Sequence, residues 1–201
     1  MAYSKFSMTE LEREFQLRIV PQVGLFSKIP TRTIGNLLAQ ILEEQVPLAS
    51  MVGTEKARAE LIIAPMLVEL RRQMNHQISF FSGVDFPVDT ERGLSGYCDF
   101  LLTRSTQQFE IEAPVVVLLE AKNDNIKSGL PQCIAEMVAA QIFNEQRQNP
   151  MNAIYGSVTT GNRWVFLKLE DKTVQIDLQE YGIEEPNRIL GILLSMVSQS
   201  R

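Results

Sequence analysis

The chain has 201 residues, 45% of them apolar and 21% charged, which suits a single domain with a substantial core. A formal net charge of −5 and a pI near 5.1 exclude non-specific polyanion binding by bulk charge, so any nucleic-acid contact needs a local basic patch. Two cysteines, Cys98 and Cys133, without CxxC or Cys/His spacing, argue against a zinc site and a secreted disulfide scaffold and fit reduced thiols in a cytoplasmic protein.

In chain order, residues 1–52 read as a partly helical N-terminal extension. It has a helix-like "TELEREFQL", a Pro-bearing turn region, and "TRTIGNLLAQILEE" (31–44) with apolar residues at helical spacing after a capping Thr. Residues 53–201 read as the main domain, one compact unit. "GTEKARAELIIAPMLVELRRQ" (53–73) predicts a helix capped by Thr54 and kinked or broken at Pro65. Three strands follow, "ISFFSGVDFPVD" (78–89), "SGYCDFLLTR" (95–104) and "APVVVLLEAK" (113–122). The turn "NDNIKSG" precedes a helix over 130–148, with Pro131 in its first turn. Three more strands fit "AIYGSVTT", "RWVFLKLE" and "TVQIDLQE", joined by Gly161-Asn162 and Asp171-Lys172 turns. "EPNRILGILLSMVSQ" (185–199) closes as an amphipathic helix. The order predicts an α/β sandwich, a mixed sheet flanked by helices.

Several chemistries find no support. The N-terminus lacks the apolar region of a signal peptide, and "ILGILLSMV" is too short to span a bilayer, so no membrane role is expected. His76 is the one histidine; it lies in "RRQMNHQ", reads as surface, and has no nucleophile elbow near it. No Gly-rich phosphate loop is present.

The chemistry concentrates in "VVVLLEAKND" (115–124). Its unbroken apolar run predicts a central strand buried on both faces. Alternation then puts Glu120 and Lys122 on one face at the sheet's rim, with Ala121 pointing the other way. The preceding strand carries Asp99, a poor strand former set among aromatic and aliphatic neighbours. If the two strands are hairpin neighbours, Asp99 comes beside Glu120. Two adjacent carboxylates repel unless a cation lies between them, and oxygen ligands completed by water describe a Mg²⁺ site. Lys122 on the same face is placed to orient a water or stabilise an oxyanion. The competing view is a snorkelling lysine with a glutamate partner, common at strand ends.

Asp99 followed by Glu120-Ala121-Lys122 resembles the D…(D/E)xK signature of the PD-(D/E)xK nuclease superfamily, the restriction-endonuclease-like fold. "TEKARAELIIAPMLVEL", "GLPQCIAEM" and "VTTGNRWVFLKL" resemble the leading helix, the post-motif helix and the later hairpin in relatives of the N-terminal nuclease domain of type I restriction subunits. The likeness covers roughly residues 53–180. The leading Asp follows "GYC" rather than Pro, and the chain is acidic where nucleases often carry basic patches.

The resemblance implies a Mg²⁺-dependent nuclease, with Mn²⁺ an alternative, that hydrolyses phosphodiester bonds in DNA rather than RNA. Asp99, Glu120 and the main-chain carbonyl of Ala121 would hold the metal, and Lys122 would assist the attacking water. A helix acid often joins such sites; Glu55 and Glu60 lie at opposite edges of the apolar arc of their helix, and Glu55 is slightly preferred. Gln132 would face the site from the post-motif helix, with Glu136 as its i,i+4 partner, or both lie on a solvated face. Trp164 and Phe166 read as core rather than a base-stacking platform. The rival expectation is a non-catalytic nucleic-acid-binding or scaffold protein on the same fold, with the C-terminal helix as the surface for a homodimer.

Overall fold

The computed structural model describes residues 2–198. It is an α/β sandwich built on one open, mixed eight-stranded sheet. The strands are β1 (Arg18–Gln22), β2 (Ser79–Asp85), β3 (Tyr97–Thr103), β4 (Val115–Ala121), β5 (Ile154–Thr159), β6 (Arg163–Glu170), β7 (Thr173–Asp177) and β8 (Tyr181–Gly182). They lie in the order β1-β7-β6-β5-β4-β3-β2, with β8 added to β6. β4 pairs parallel with β5 and β1 parallel with β7; the other pairs are antiparallel. Every residue of β4 is buried, as its unalternating apolar run requires.

The helices are α1 (Met8–Phe15), α2 (Asn36–Val52), α3 (Glu55–Arg58), α4 (Ala64–Gln73), α5 (Ile126–Gln146) and α6 (Pro186–Ser198). One core, between the sheet and α2, α4 and α6, includes Phe100, Leu119, Trp164 and Phe166. A second, on the opposite face, joins α1 and α5 to Leu101, Leu118 and Val165. Trp164 and Phe166 stack with ring centroids 6.2 Å apart, and Trp164 Nε1 donates to the Gly161 carbonyl. Both are core side chains. The last residue of the predicted C-terminal helix, Gln199, lies outside the described residues.

The elements differ from the sequence reading in definite ways. Two strands were not anticipated, β1 and the short β8. α2 runs on to Val52 with Pro47 inside it. α5 begins at Ile126 because Asn125 caps it, its side chain accepting from Lys127 N–H at 3.0 Å. Pro131 therefore sits inside the helix rather than in its first turn. Pro65 does not break its helix: α3 and α4 are joined through a π turn, Ala59–Ile63, in which Ala64 N–H reaches the Ala59 carbonyl. That wider turn lies just ahead of the proline, whose ring would otherwise crowd the carbonyl one turn back.

Residues 2–52 contribute an edge strand and also core side chains. Tyr3, Leu11 and Phe15 are buried in the α5-side core. The carboxylate of Asp177 accepts from Gly24 N–H, Phe26 N–H, Gln179 N–H and the Tyr181 hydroxyl. On the other face, buried Glu69 of α4 accepts from Gly35 N–H (2.9 Å) at the start of α2 and from Gln73 Nε2 (2.7 Å), and it pairs with Arg72. Burial alone would raise its carboxyl pKa, but the bonds from Gln73, Gly35 and Arg72 outweigh burial and hold it below the usual range.

Glu69 thus fixes α2 against α4 and supplies a pH-dependent share of stability. A depressed folded-state pKa contributes fully above the unfolded value of 4.5 and is lost as pH falls through the folded value. Glu69→Gln should cost about 1.5–3 kcal/mol at pH 7, the range for hydrogen bonds to a charged group. The deficit should shrink as pH falls through the folded value and the wild-type side chain becomes neutral as well. Urea melts of both proteins at pH 7 and through a falling acid series check this; a gap that does not shrink as pH falls contradicts it.

Candidate functional site

The C-terminal end of β4 brings together residues from three elements. β3 and β4 are hairpin neighbours, with Phe100 opposite Leu119 and Leu101 opposite Leu118. That register carries Asp99 alongside Glu120, and Ala121 N–H donates to Asp99 Oδ2 at 2.8 Å. On the other side, β4 pairs with β5, and Lys122 N–H extends the ladder to the Thr159 carbonyl at 2.8 Å.

α5 is laid close over this corner. Its far end is pinned by Asn144, whose side chain accepts from Val115 N–H (2.8 Å) and donates to the Val115 carbonyl (2.7 Å) at the start of β4. Two glycines permit the approach. A Cβ on Gly156 of β5 would meet Met137 Sδ at 2.5 Å and Cys133 Sγ at 2.8 Å. A Cβ on Gly129, in the first turn of α5, would meet Val158 Cγ1 at 2.7 Å and the Lys122 stem at 3.1 Å.

Glu120 is 1% exposed, and both its oxygens are engaged. Oε1 accepts from Lys122 Nζ and Oε2 from Gln132 Nε2 at 2.8 Å. Gln132 Nε2 also donates to Glu136 Oε1 at 3.1 Å. Glu136 is fully buried, and its Oε2 has no hydrogen-bond partner among the described residues.

The electrostatics follow from burial. Desolvation first, then the charge of Asp99, push the Glu120 carboxyl up from 4.5 to about 8, against the bond from Lys122. Burial alone would lower Lys122, but the bond and charge of Glu120 outweigh it and raise the ammonium. Lys122 holds its proton most firmly when Glu120 is ionised, and burial opposes that ionisation. Glu136 is pushed well up by burial and then by Glu120. Burial likewise makes Cys98 and Cys133 poor thiolates.

Asp99, Glu120, Lys122 and Gln132 therefore meet at one corner, and Ala121 lies among them. The two helix acids part company. Glu55 is exposed, and its charge acts on both Glu120 and Lys122. Glu60 pairs with Lys56 at 3.8 Å and lines a groove with Leu37, Ile41, Pro65 and Val68, on the α2 side. Glu136 is the residue not singled out from sequence as a site member. The available clue was the apolar run on both sides of it, "CIA" and "MVAA", which marks a helix buried nearly all round.

The donor set is oxygen-rich, and its acids outnumber its cations. With the unpartnered oxygen of Glu136, that is the chemistry of a hard divalent cation. Among the described residues, no three acidic, cysteine or histidine side chains stand close enough to enclose an ion by themselves. A cation here would be completed by backbone carbonyl, water or substrate oxygen, as Mg²⁺ commonly is.

Other cations are largely committed within the fold. Arg72 pairs with Glu69 and Arg163 with Glu184, and Arg71 bonds the Ile78 carbonyl. Arg58 donates to the Thr160 carbonyl at 3.0 Å, with Asp124 3.9 Å away, and Lys127 is exposed in the first turn of α5. His76 is exposed. Among the described residues, no helix is long and apolar enough to cross a membrane.

No protein-family model matches the chain, and comparison with curated proteins finds no significant relative.

If Glu120 and Asp99 hold a cation, Mg²⁺ should raise the wild-type melting temperature, each kcal/mol amounting to about 2–4 °C for a domain of this size. Glu120→Gln should abolish that shift. Without metal it should also melt below the wild type, because its amide NH₂ must face the ammonium of Lys122 or the NH₂ of Gln132. Thermal melts of both proteins with and without Mg²⁺ check this. A wild type that Mg²⁺ leaves unmoved would mean that Glu120 serves only as the partner of Lys122 and Gln132.

Proposed function

We propose that this chain is a divalent-metal-dependent nuclease of the PD-(D/E)xK type, on a restriction-endonuclease-like fold, hydrolysing phosphodiester bonds in DNA. The observation that carries the reading is the meeting of Asp99, Glu120 and Lys122 across the β3–β4 hairpin, with Gln132 over them from the following helix. The choice of DNA rests on the sequence resemblance.

In this reading Asp99, Glu120 and the carbonyl of Ala121 would hold Mg²⁺ or Mn²⁺. The bound cation would polarise the scissile phosphate and acidify a water. Gln132 fixes the inner oxygen of Glu120, leaving the carboxylate one orientation. Lys122 is 21% exposed, so its ammonium can turn from Glu120 toward a phosphate oxygen or an attacking water at the surface. Glu55 adds negative charge at the rim. Hydrolysis adds water across the P–O bond, and the leaving oxygen takes a proton.

One observation favours the rival reading, a non-catalytic nucleic-acid-binding or scaffold protein. Both oxygens of Glu120 are already satisfied by this chain's own side chains, as a purely structural polar cluster would require.

Incubation of supercoiled plasmid with Mg²⁺ or Mn²⁺ separates the two. The nuclease should nick or linearise it and lose activity in chelator. Asp99→Asn, Glu120→Gln and Lys122→Ala should each lower cleavage by about 10²-fold or more, non-additively. Cleavage that survives EDTA or the Asp99 variant contradicts the mechanism.

A further inference from the structure

Glu136 has no role in the mechanism above, yet it is the most deeply enclosed acid of the cluster. It is fully buried in the middle of α5, and its neighbours on that helix, Ala135 and Met137, are buried and offer no donor side chain. One carboxylate oxygen takes a hydrogen from Gln132 at 3.1 Å. The other has no partner among the described residues. Leaving a buried acceptor unsatisfied costs about 1–3 kcal/mol, and more for a charged group. A hydrophobic residue of similar volume would avoid that cost.

The same amide nitrogen of Gln132 donates to Glu120 Oε2 at 2.8 Å, so one NH₂ group spans the two carboxylates. The one ammonium at the corner, Lys122, is engaged on the far oxygen of Glu120. Glu136 is thus tied to the metal-binding corner through Gln132 and has an acceptor to spare.

We propose that Glu136 belongs to the cation site, its unpartnered oxygen accepting a hydrogen bond from a water bound to the divalent cation that Asp99 and Glu120 hold. The inference rests on the metal-dependent reading given above. Contact through water agrees with the absence of three directly enclosing side chains among the described residues. It also agrees with the reluctance of Mg²⁺ to shed its waters. Groups one step outside the ligands typically set metal affinity by about 10–100-fold.

The test is Mn²⁺ binding, read by the loss of the free-ion paramagnetic resonance signal, in wild type, Glu136→Gln, Glu136→Leu and Glu120→Gln. Wild type should bind one Mn²⁺. Both Glu136 variants should melt no lower than wild type without metal and bind Mn²⁺ about 10–100-fold more weakly. If wild type binds and folded Glu136 variants bind equally well, Glu136 is a core carboxyl group and the inference falls, while the nuclease reading stands. If wild type itself binds no Mn²⁺, both fall together. A crystal soaked in Mn²⁺ decides the matter without variants: the anomalous peak should lie about 4–5 Å from the Glu136 carboxylate, with one water between. An ion directly on the carboxylate, or out of its reach, overturns the proposal.

Discussion

A carboxylate held at 1% exposure, at the end of a strand that is otherwise wholly apolar, is the constraint on which this architecture turns. Taking such a charge out of water costs several kcal/mol unless partners compensate. Lys122 and Gln132 occupy the two oxygens of Glu120, and the backbone places both. Lys122 comes from the strand's own extension, stitched to Thr159. Gln132 comes from a helix that could not approach without Gly129 and Gly156, and whose far end Asn144 clamps to Val115. The central β4–α5–β5 unit is shaped around one buried acid. Loosening any of these contacts would expose Glu120 or leave it unpaired, at a cost beyond the contact itself.

Much of this was legible in the residues. The unalternating "VVVLL" could only be a strand buried on both faces, and Asp99 among apolar residues needed a partner; the β3–β4 register supplies one. What escaped notice depended on long-range packing. β1, "RIVPQ", carries a proline and little apolar pattern, which only a sheet edge tolerates, and its partner β7 is more than 150 residues away. β8 is two residues long and has no pattern to read. Glu55 and Glu60 stayed alternatives because a regular helical wheel ignores the π turn at Ala59–Ile63, where Glu60 lies. Glu60 pairs with Lys56 and lines the α2 groove, while the charge of Glu55 acts on Glu120. Gln132 and Glu136 had a solvated face as their alternative; the sheet beneath α5 buries Glu136 and leaves Gln132 half-buried.

Part of the positive charge is engaged within the fold: Arg72 and Arg163 answer glutamates and Arg71 answers a carbonyl. A nuclease of this kind would hold its substrate at the corner through the cation, Lys122 and Arg58, with Lys127 exposed in the first turn of α5.

Metal-dependent hydrolysis requires that the corner bind a divalent cation through Asp99. Calorimetric titration of Mg²⁺ into the full chain measures this directly, with Asp99→Asn as the control. A single site is expected in the wild type, and its loss in a variant that stays folded. A wild type that takes up no Mg²⁺, or an Asp99 variant that binds it unchanged, would contradict metal-dependent hydrolysis and leave the buried cluster as architecture alone.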